Sequence, residues 1–416
     1  MNELTKRLSA EIEKMPVIDV HSHLNRDRLA AQHLDAIIFY HMVARMLISA
    51  GMPSRNGDIQ QQIEQSLPYW PLLKGSGFLW CLKSILRDLY EFDEPIEKAT
   101  VGKLLESFEQ KRTNPEWGIE ILQRAGIAHT LSSTTNVESS AKGKEKGNVR
   151  LTIEVGPANM NESNSGWEFF NLIEKETGIK VNSANSEREA ISAFYNAMDW
   201  ADKHALVMWY SSMPEFILPA DDKIDKIISK YRGQFLPAAE RRLIEAFTFY
   251  AIMESVRCRG VPVQIAFGCQ LVGKEGIPRA GAGSLTSFAN VLESYPDMHF
   301  NFIMAYAAGN HELNCLAQAY PNLSVAGAWW HNFYPSVMRQ LYNERMDILP
   351  INKFMAFFSD AYCSEWSYGR LKLVHHVLSL VLAEKIVSGY LSEDDALQIA
   401  RYLLFDAPQQ IFFPKH

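Results

Sequence analysis

Residues 16–24 read PVIDVHSHL, in which His21 and His23 flank one small residue at the end of a short apolar run. Side chains alternate along a strand, so the two imidazoles point to the same side. A pair of neutral imidazoles held together is half of a metal site, because imidazole nitrogen is a common ligand of Zn²⁺. Chance, with ordinary hydrogen bonds, would leave the same pattern, so the reading needs a third ligand. Asp360 closes a second apolar run, in Ser359-Asp360-Ala361. Two imidazoles and one carboxylate leave a coordination position open for water or substrate. A carboxylate so placed also takes and gives protons. The competing role for Asp360 is to cap the helix that follows it.

Other residues carry chemistry with less definition. Glu154 is an acid in an otherwise apolar run, and a buried carboxylate needs a partner. It reads as a metal ligand, a base, an acceptor for substrate hydroxyls, or one half of an ion pair. Trp329, Trp330 and His331 form a group whose flat faces suit the C–H faces of a sugar; alternatively the tryptophans are core. His311, at a helix start, reads as a cap. Cys269 has no histidine partner in sequence to activate it.

Positioning these groups requires a scaffold that gathers strand ends. Eight apolar runs bounded by turn signals lie at 17–20, 128–132, 149–155, 205–210, 261–268, 299–306, 323–330 and 354–359. Most lack polar alternation, as strands covered on both faces do. Helical patterns such as 240–257 and 284–294 separate them. This is the arithmetic of an α/β fold of the (β/α)8 TIM-barrel type, whose chemistry sits at the C-terminal ends of the strands. No glycine-rich dinucleotide fingerprint follows the first run, which counts against a doubly wound sheet. Residues 1–24 supply an N-terminal helix and the first strand. Residues 25–126 form a helical insertion over the barrel mouth, with helices expected at 34–50, 59–65, 78–89 and 101–111. Residues 127–416 complete the barrel, with a second insertion at 211–236 and a polar loop at 137–148.

Composition narrows the function classes. The chain has 416 residues, 47% hydrophobic and 21% charged, with net charge −7, and no basic block tracks along a helix. That excludes nucleic acid as an expected partner. No run of about 18 apolar residues predicts a membrane span. The first 16 residues are charged and amphipathic, unlike a signal peptide. Five scattered cysteines without a CxxC pair read as reduced thiols, which points to the cytoplasm. The expected partner is a small molecule, and the outer helices of such a barrel leave homo-oligomer formation open.

The chain resembles the uronate isomerase (glucuronate isomerase) family of the amidohydrolase superfamily. The resemblance runs through nearly the whole chain. It rests on VIDVHSHL, on FYHMVARM at 39–46, on NHELNCLAQAYPNLSVAGAWWHNF at 310–333, on INKFMAFFSDA at 351–361, on Ser367-Tyr368-Gly369-Arg370 and on LLFDAPQQIFF at 403–413. It implies a metal-dependent barrel that interconverts aldose and ketose forms of a sugar acid by moving a proton between C2 and C1. It implies His21, His23 and Asp360 as ligands of one divalent metal, Zn²⁺ first with Mn²⁺, Fe²⁺ or Ni²⁺ as alternatives, and Asp360 as the group that moves the proton. His41 and Glu154 stand as further catalytic candidates. Arg45, Trp329, Trp330, His331, Tyr362 and Arg370 stand as substrate-binding candidates.

Three positions depart from the family pattern. Met42 stands where a tyrosine is usual, Tyr362 where an arginine is usual, and Glu154 on a strand that usually carries an arginine. Those arginines would grip the substrate carboxylate. The departures keep open a related polyhydroxylated substrate. They also keep open a mononuclear hydrolase or decarboxylase on the same barrel. Strands five and six end in Phe267-Gly268-Cys269 and Ala305-Tyr306, without histidine, which counts against a two-metal hydrolase.

Overall fold

The computed structural model describes residues 3–53, 57–133, 148–156, 166–210, 214–272, 275–278 and 285–414, without the side chains of 270–272, 275–278 and 331. The expected loop at 137–148 falls almost wholly outside the described residues. The strands are β1 (Val17–Ser22), β2 (Ile127–Ser132), β3 (Val149–Ile153), β4 (Lys203–Tyr210), β5 (Val263–Phe267), β6 (Cys269–Val272), β7 (Glu275–Pro278), β8 (Phe300–Met304), β9 (Leu323–Ala326) and β10 (Phe354–Met355). Eight form one sheet in the order β1-β2-β3-β4-β5-β8-β9-β10, and every neighbouring pair is parallel. These eight coincide with the eight apolar runs. The antiparallel pair β6–β7 was not expected from the sequence.

Helices cover the outer face, so each strand is buried on both sides. In β5, Val263, Ile265 and Phe267 join the core shared with the helices, while Ala266 joins a separate interior cluster with Ile18, Val20, Leu131, Ile303 and Met355. Phe412 of the last helix (Ala407–Phe412) belongs to that interior cluster too. Beyond β10, the Asp360 amide donates to His21 O at 2.9 Å and the His23 amide to Ala361 O at 2.9 Å. The last strand is thereby joined to the first, and the sheet curls as in a TIM barrel.

Two of the expected strands end four residues early. The seventh stops at Ala326 because Gly327 turns to φ +44°, where an added Cβ would lie 2.3 Å from Phe358 Cδ1. The eighth stops at Met355: the Ala356 amide leaves the ladder and donates to Leu403 O. Between β1 and β2 lie helices Asp35–Ile38, His41–Ser49, Ile59–Ser66, Gly77–Tyr90, Val101–Arg112 and Trp117–Arg124. The single helix expected at 34–50 is two. Tyr40 adopts extended ψ 140°, stacks on Trp366 at 4.3 Å and donates its hydroxyl to Asp360 O at 3.0 Å. A tertiary contact thus overrides local helix propensity.

Candidate metal centre

His21 reaches the barrel interior through an irregularity in β1. Asp19 pairs with Thr130 and Ser22 with Ser132, so β1 advances three residues while β2 advances two. Ile18 and Val20 face the interior. Strict alternation would turn His21 outward; the extra residue is a bulge that re-aims it. His21 and His23 then meet Asp360. One ligand atom from each of the three lies within 4.8 Å of the others. His23 Nε2 is 3.4 Å and His21 Nε2 4.0 Å from Asp360 Oδ1.

Asp360 is held on every side. Its backbone sits at φ +49°, a region that aspartate tolerates better than most residues. Trp329 Nε1 donates to Oδ2 at 3.1 Å, and Arg370 Nη1 lies 3.8 Å from the same oxygen. Burial alone would raise the Asp360 carboxyl, but the His23 hydrogen bond, the Arg370 charge and the two imidazoles hold it down at about 2. It is therefore a carboxylate at neutral pH. Asp360 does not cap the next helix, which starts at Ser364 after Cys363.

His21 is 1% exposed, and burial together with neighbouring His23 pushes it down to about 4, leaving a neutral imidazole. Its Nε2 is buried with no hydrogen-bond partner among the described residues. An orphaned imidazole nitrogen aimed at a carboxylate and a second imidazole is the donor set a divalent cation satisfies. For His23, burial opposes protonation, yet the Asp360 hydrogen bond and the Asp360 and Glu154 charges raise it. The residues fit a divalent metal ion, with coordination positions to spare.

Glu154 is 3% exposed and stands outside the three-ligand group. Ser133 Oγ donates a short hydrogen bond to its Oε2. Burial raises its carboxyl against the His23 charge, the Ser133 bond and the neighbouring Trp209 indole. His41, pushed down to about 4 by burial and the Arg370 charge, sits edge-on to Tyr362 at 5.9 Å. Tyr362 stacks on His23 at 4.8 Å, and the Arg45 guanidinium lies over Trp330 at 4.6 Å. Met42 is buried, with Sδ 4.0 Å from Arg45 Nη1.

Arg370 is 2% exposed; it donates to Ser359 O, and its guanidinium lies 4.9 Å from the Phe333 ring. The His331 side chain lies outside the described residues. His311 is not a helix cap: it lies inside the helix Asn310–Ala319, and its Nδ1 pairs with Glu344 at 2.9 Å on the surface.

Sequence reading missed several supporting groups. Gln264 Oε1 faces His21 Nδ1 at 2.9 Å, while Gln264 Nε2 donates to Val20 O at 3.0 Å and Asn301 Oδ1 at 3.1 Å. Asn301 Nδ2 donates to Ser324 Oγ at 2.9 Å. The available signal was a lone amide at the same height of adjacent apolar strands, VQIAF and FNFIM, where Gln264 and Asn301 are register partners.

No protein-family model matches the chain. It is 20% identical to the uronate isomerase of Thermotoga neapolitana and 25% identical to that of Thermotoga maritima, each alignment covering 99% of this chain and 98% of the relative. Its fold matches the crystal structure of glucuronate isomerase from Caulobacter crescentus with a TM-score of 0.85 at 15% identity, over 99% of this chain and 94% of that one.

Proposed function

We propose that this chain, a divergent relative of the uronate isomerases along its whole length, interconverts the aldose and ketose forms of a sugar acid of the glucuronate or galacturonate type, or of a related polyhydroxylated substrate. The observation that carries the reading is the meeting of His21, His23 and Asp360 at the C-terminal ends of the first and last strands of the sheet. These three would hold one divalent metal, with Zn²⁺ the first choice. When bound, such a metal supplies Lewis-acid polarisation of the substrate's carbonyl and hydroxyl oxygens.

The protein's own groups do the rest. Asp360, kept ionised, moves the proton between C2 and C1. Trp329 and Arg370 fix its carboxylate, so Arg370 acts as a positioning residue and not as a substrate clamp. Neutral His41 accepts and returns a hydroxyl proton at its ring nitrogen. Glu154 accepts hydrogen bonds from substrate hydroxyls. Arg45, braced on Trp330, meets the substrate carboxylate, and Tyr362 and Trp330 flank the sugar.

Residues 25–126 act as a helical cover on a barrel made by 1–24 and 127–416. Tyr40, His41 and Arg45 all come from that segment and reach groups of the barrel mouth. The helix geometry adds that no helix of the described residues is long and apolar enough to cross a membrane.

The test is proton NMR of glucuronate and galacturonate in D₂O with Zn²⁺- or Mn²⁺-loaded protein, beside Asp360→Asn. Loss of the C2 proton signal with ketose appearing, absent in the variant, is the expected result. Metal bound with neither exchange nor ketose would overturn the proposal.

A further inference from the structure

We infer that Gln264 is a positioning residue that fixes the tautomer of His21, so that its Nε2 lone pair is already presented to the metal before metal arrives. The inference rests on the proposed metal site, and its first readout, the tautomer, needs no metal.

The argument follows hydrogen-bond direction. Val20 O is a backbone carbonyl and can only accept, so the Gln264 atom 3.0 Å from it must be the amide nitrogen. Its second N–H goes to Asn301 Oδ1 at 3.1 Å. The other end of the amide, Oε1, therefore faces His21 Nδ1 at 2.9 Å. An amide oxygen only accepts, so Nδ1 carries the proton and Nε2 is left with its lone pair. The Asn301 amide is oriented in turn: its Nδ2 donates to Ser324 Oγ at 2.9 Å, and that oxygen meets His299 Nε2 at 2.8 Å. A chain of oriented groups on β5, β8 and β9 thus sets one imidazole on β1.

All four side chains that set the direction are buried: Gln264 is 1% exposed, and Asn301, Ser324 and His21 no more than that. Water has no access to offer the amide an alternative, and a flip would put two carbonyl oxygens face to face. The result is a ligand whose orientation and protonation are built in by the scaffold, as outer-shell partners of metal-bound histidines do.

The experiment compares wild type, Gln264→Met and Gln264→Glu as full-length proteins. The readouts are the His21 tautomer, from long-range ¹H–¹⁵N NMR of metal-free protein, and Zn²⁺ affinity by chelator competition. Thermal unfolding identifies folded variants. Glutamic acid keeps both ends of the amide's role when protonated in this buried site, its O–H donating to Val20 O and its carbonyl oxygen accepting from Nδ1–H, whereas methionine only fills the space. The expected order is a retained Nδ1–H tautomer and near-wild-type Zn²⁺ affinity for Gln264→Glu, with a mixed tautomer and about 10- to 100-fold weaker Zn²⁺ binding for Gln264→Met. Gln264→Met keeping the wild-type tautomer and Zn²⁺ affinity would mean a packing role only and overturn the inference. If wild type takes up no Zn²⁺, the metal reading fails, and the metal-free tautomer comparison alone decides this one.

Discussion

The ring of Tyr362 lies nearly flat on that of His23, with centroids 4.8 Å apart and planes 18° apart. Trp209 is a second near-parallel neighbour of the same imidazole, at 6.1 Å and 22°. Tyr362 is itself 58% exposed, and its ring screens His23 from solvent. Such aromatic pairs contribute about 0.5–1.5 kcal/mol beyond buried area. We expect Tyr362→Ala to weaken Zn²⁺ binding by roughly 2- to 10-fold and Tyr362→Phe to leave it unchanged. Chelator competition reads both. Equal loss in the two variants would assign the effect to the hydroxyl and not the stack.

Trp329 does more than fill the barrel. Its Nε1 gives Asp360 Oδ2 a buried hydrogen bond of 3.1 Å, and a bond to a charged group is worth about 1.5–3 kcal/mol. Trp329→Phe keeps an aromatic ring and removes that donor. The expected outcome in the isomerase assay is a kcat lower by about 10- to 100-fold, with a modest change in Tm. An unchanged kcat would remove Trp329 from the support of Asp360.

The joint between the first and last strands has its own lock. Asp19 Oδ1 accepts from the Ser359 amide at 2.7 Å, and Oδ2 accepts from Ser359 Oγ at 2.6 Å and Thr130 Oγ1 at 3.1 Å. Asp19, Ser359 and Thr130 are all buried. Asp19→Ala leaves the Ser359 amide without its acceptor and takes one partner from each of two buried hydroxyls beside Asp360, a loss on the order of 3 kcal/mol or more. Urea unfolding should show it as a lower midpoint with unchanged m, accompanied by weaker Zn²⁺ binding. A variant as stable as wild type would show that the Asp360 turn does not depend on Asp19.

The convergence of His21, His23 and Asp360 was legible because it obeys a rule of position: polar groups at the ends of apolar strands, meeting when the sheet curls. The inward aim of His21 was not. Counting alternation from His21 to His23 gives the right pairing, but Ile18 and Val20 occupy the inward positions, and only the bulge reconciles them. A bulge is a property of strand pairing and leaves no local mark. Tyr40 was unreadable for a similar reason: it breaks a good helical pattern because Trp366 and Asp360, more than 300 residues away, hold it. Gln264 left a trace, a polar residue in an apolar strand, whose meaning needed the neighbouring strand's Asn301.

One buried acid lies far in sequence from the site and predicts a pH dependence of stability. Glu187, on helix Ala184–Asn196, is fully buried; Thr248 donates to its Oε1 at 2.5 Å, and its Oε2 has no partner among the described residues. Burial pushes its carboxyl up to about 8 from an ordinary 4.5, against the Thr248 bond and the Arg188 charge. The folded chain therefore keeps a proton that the unfolded chain releases above pH 4.5. This stability is fully present below pH 4.5, falls as pH rises toward 8, and is lost above it. The slope is on the order of 1.4 kcal/mol per pH unit within that window. Glu187→Gln mimics the protonated form, so we expect it to flatten this part of the profile and to be more stable than wild type at pH 8 by a few kcal/mol. Urea unfolding at pH 5, 6.5 and 8 measures the difference, and parallel profiles for the two proteins would show that Glu187 is ionised in the folded state.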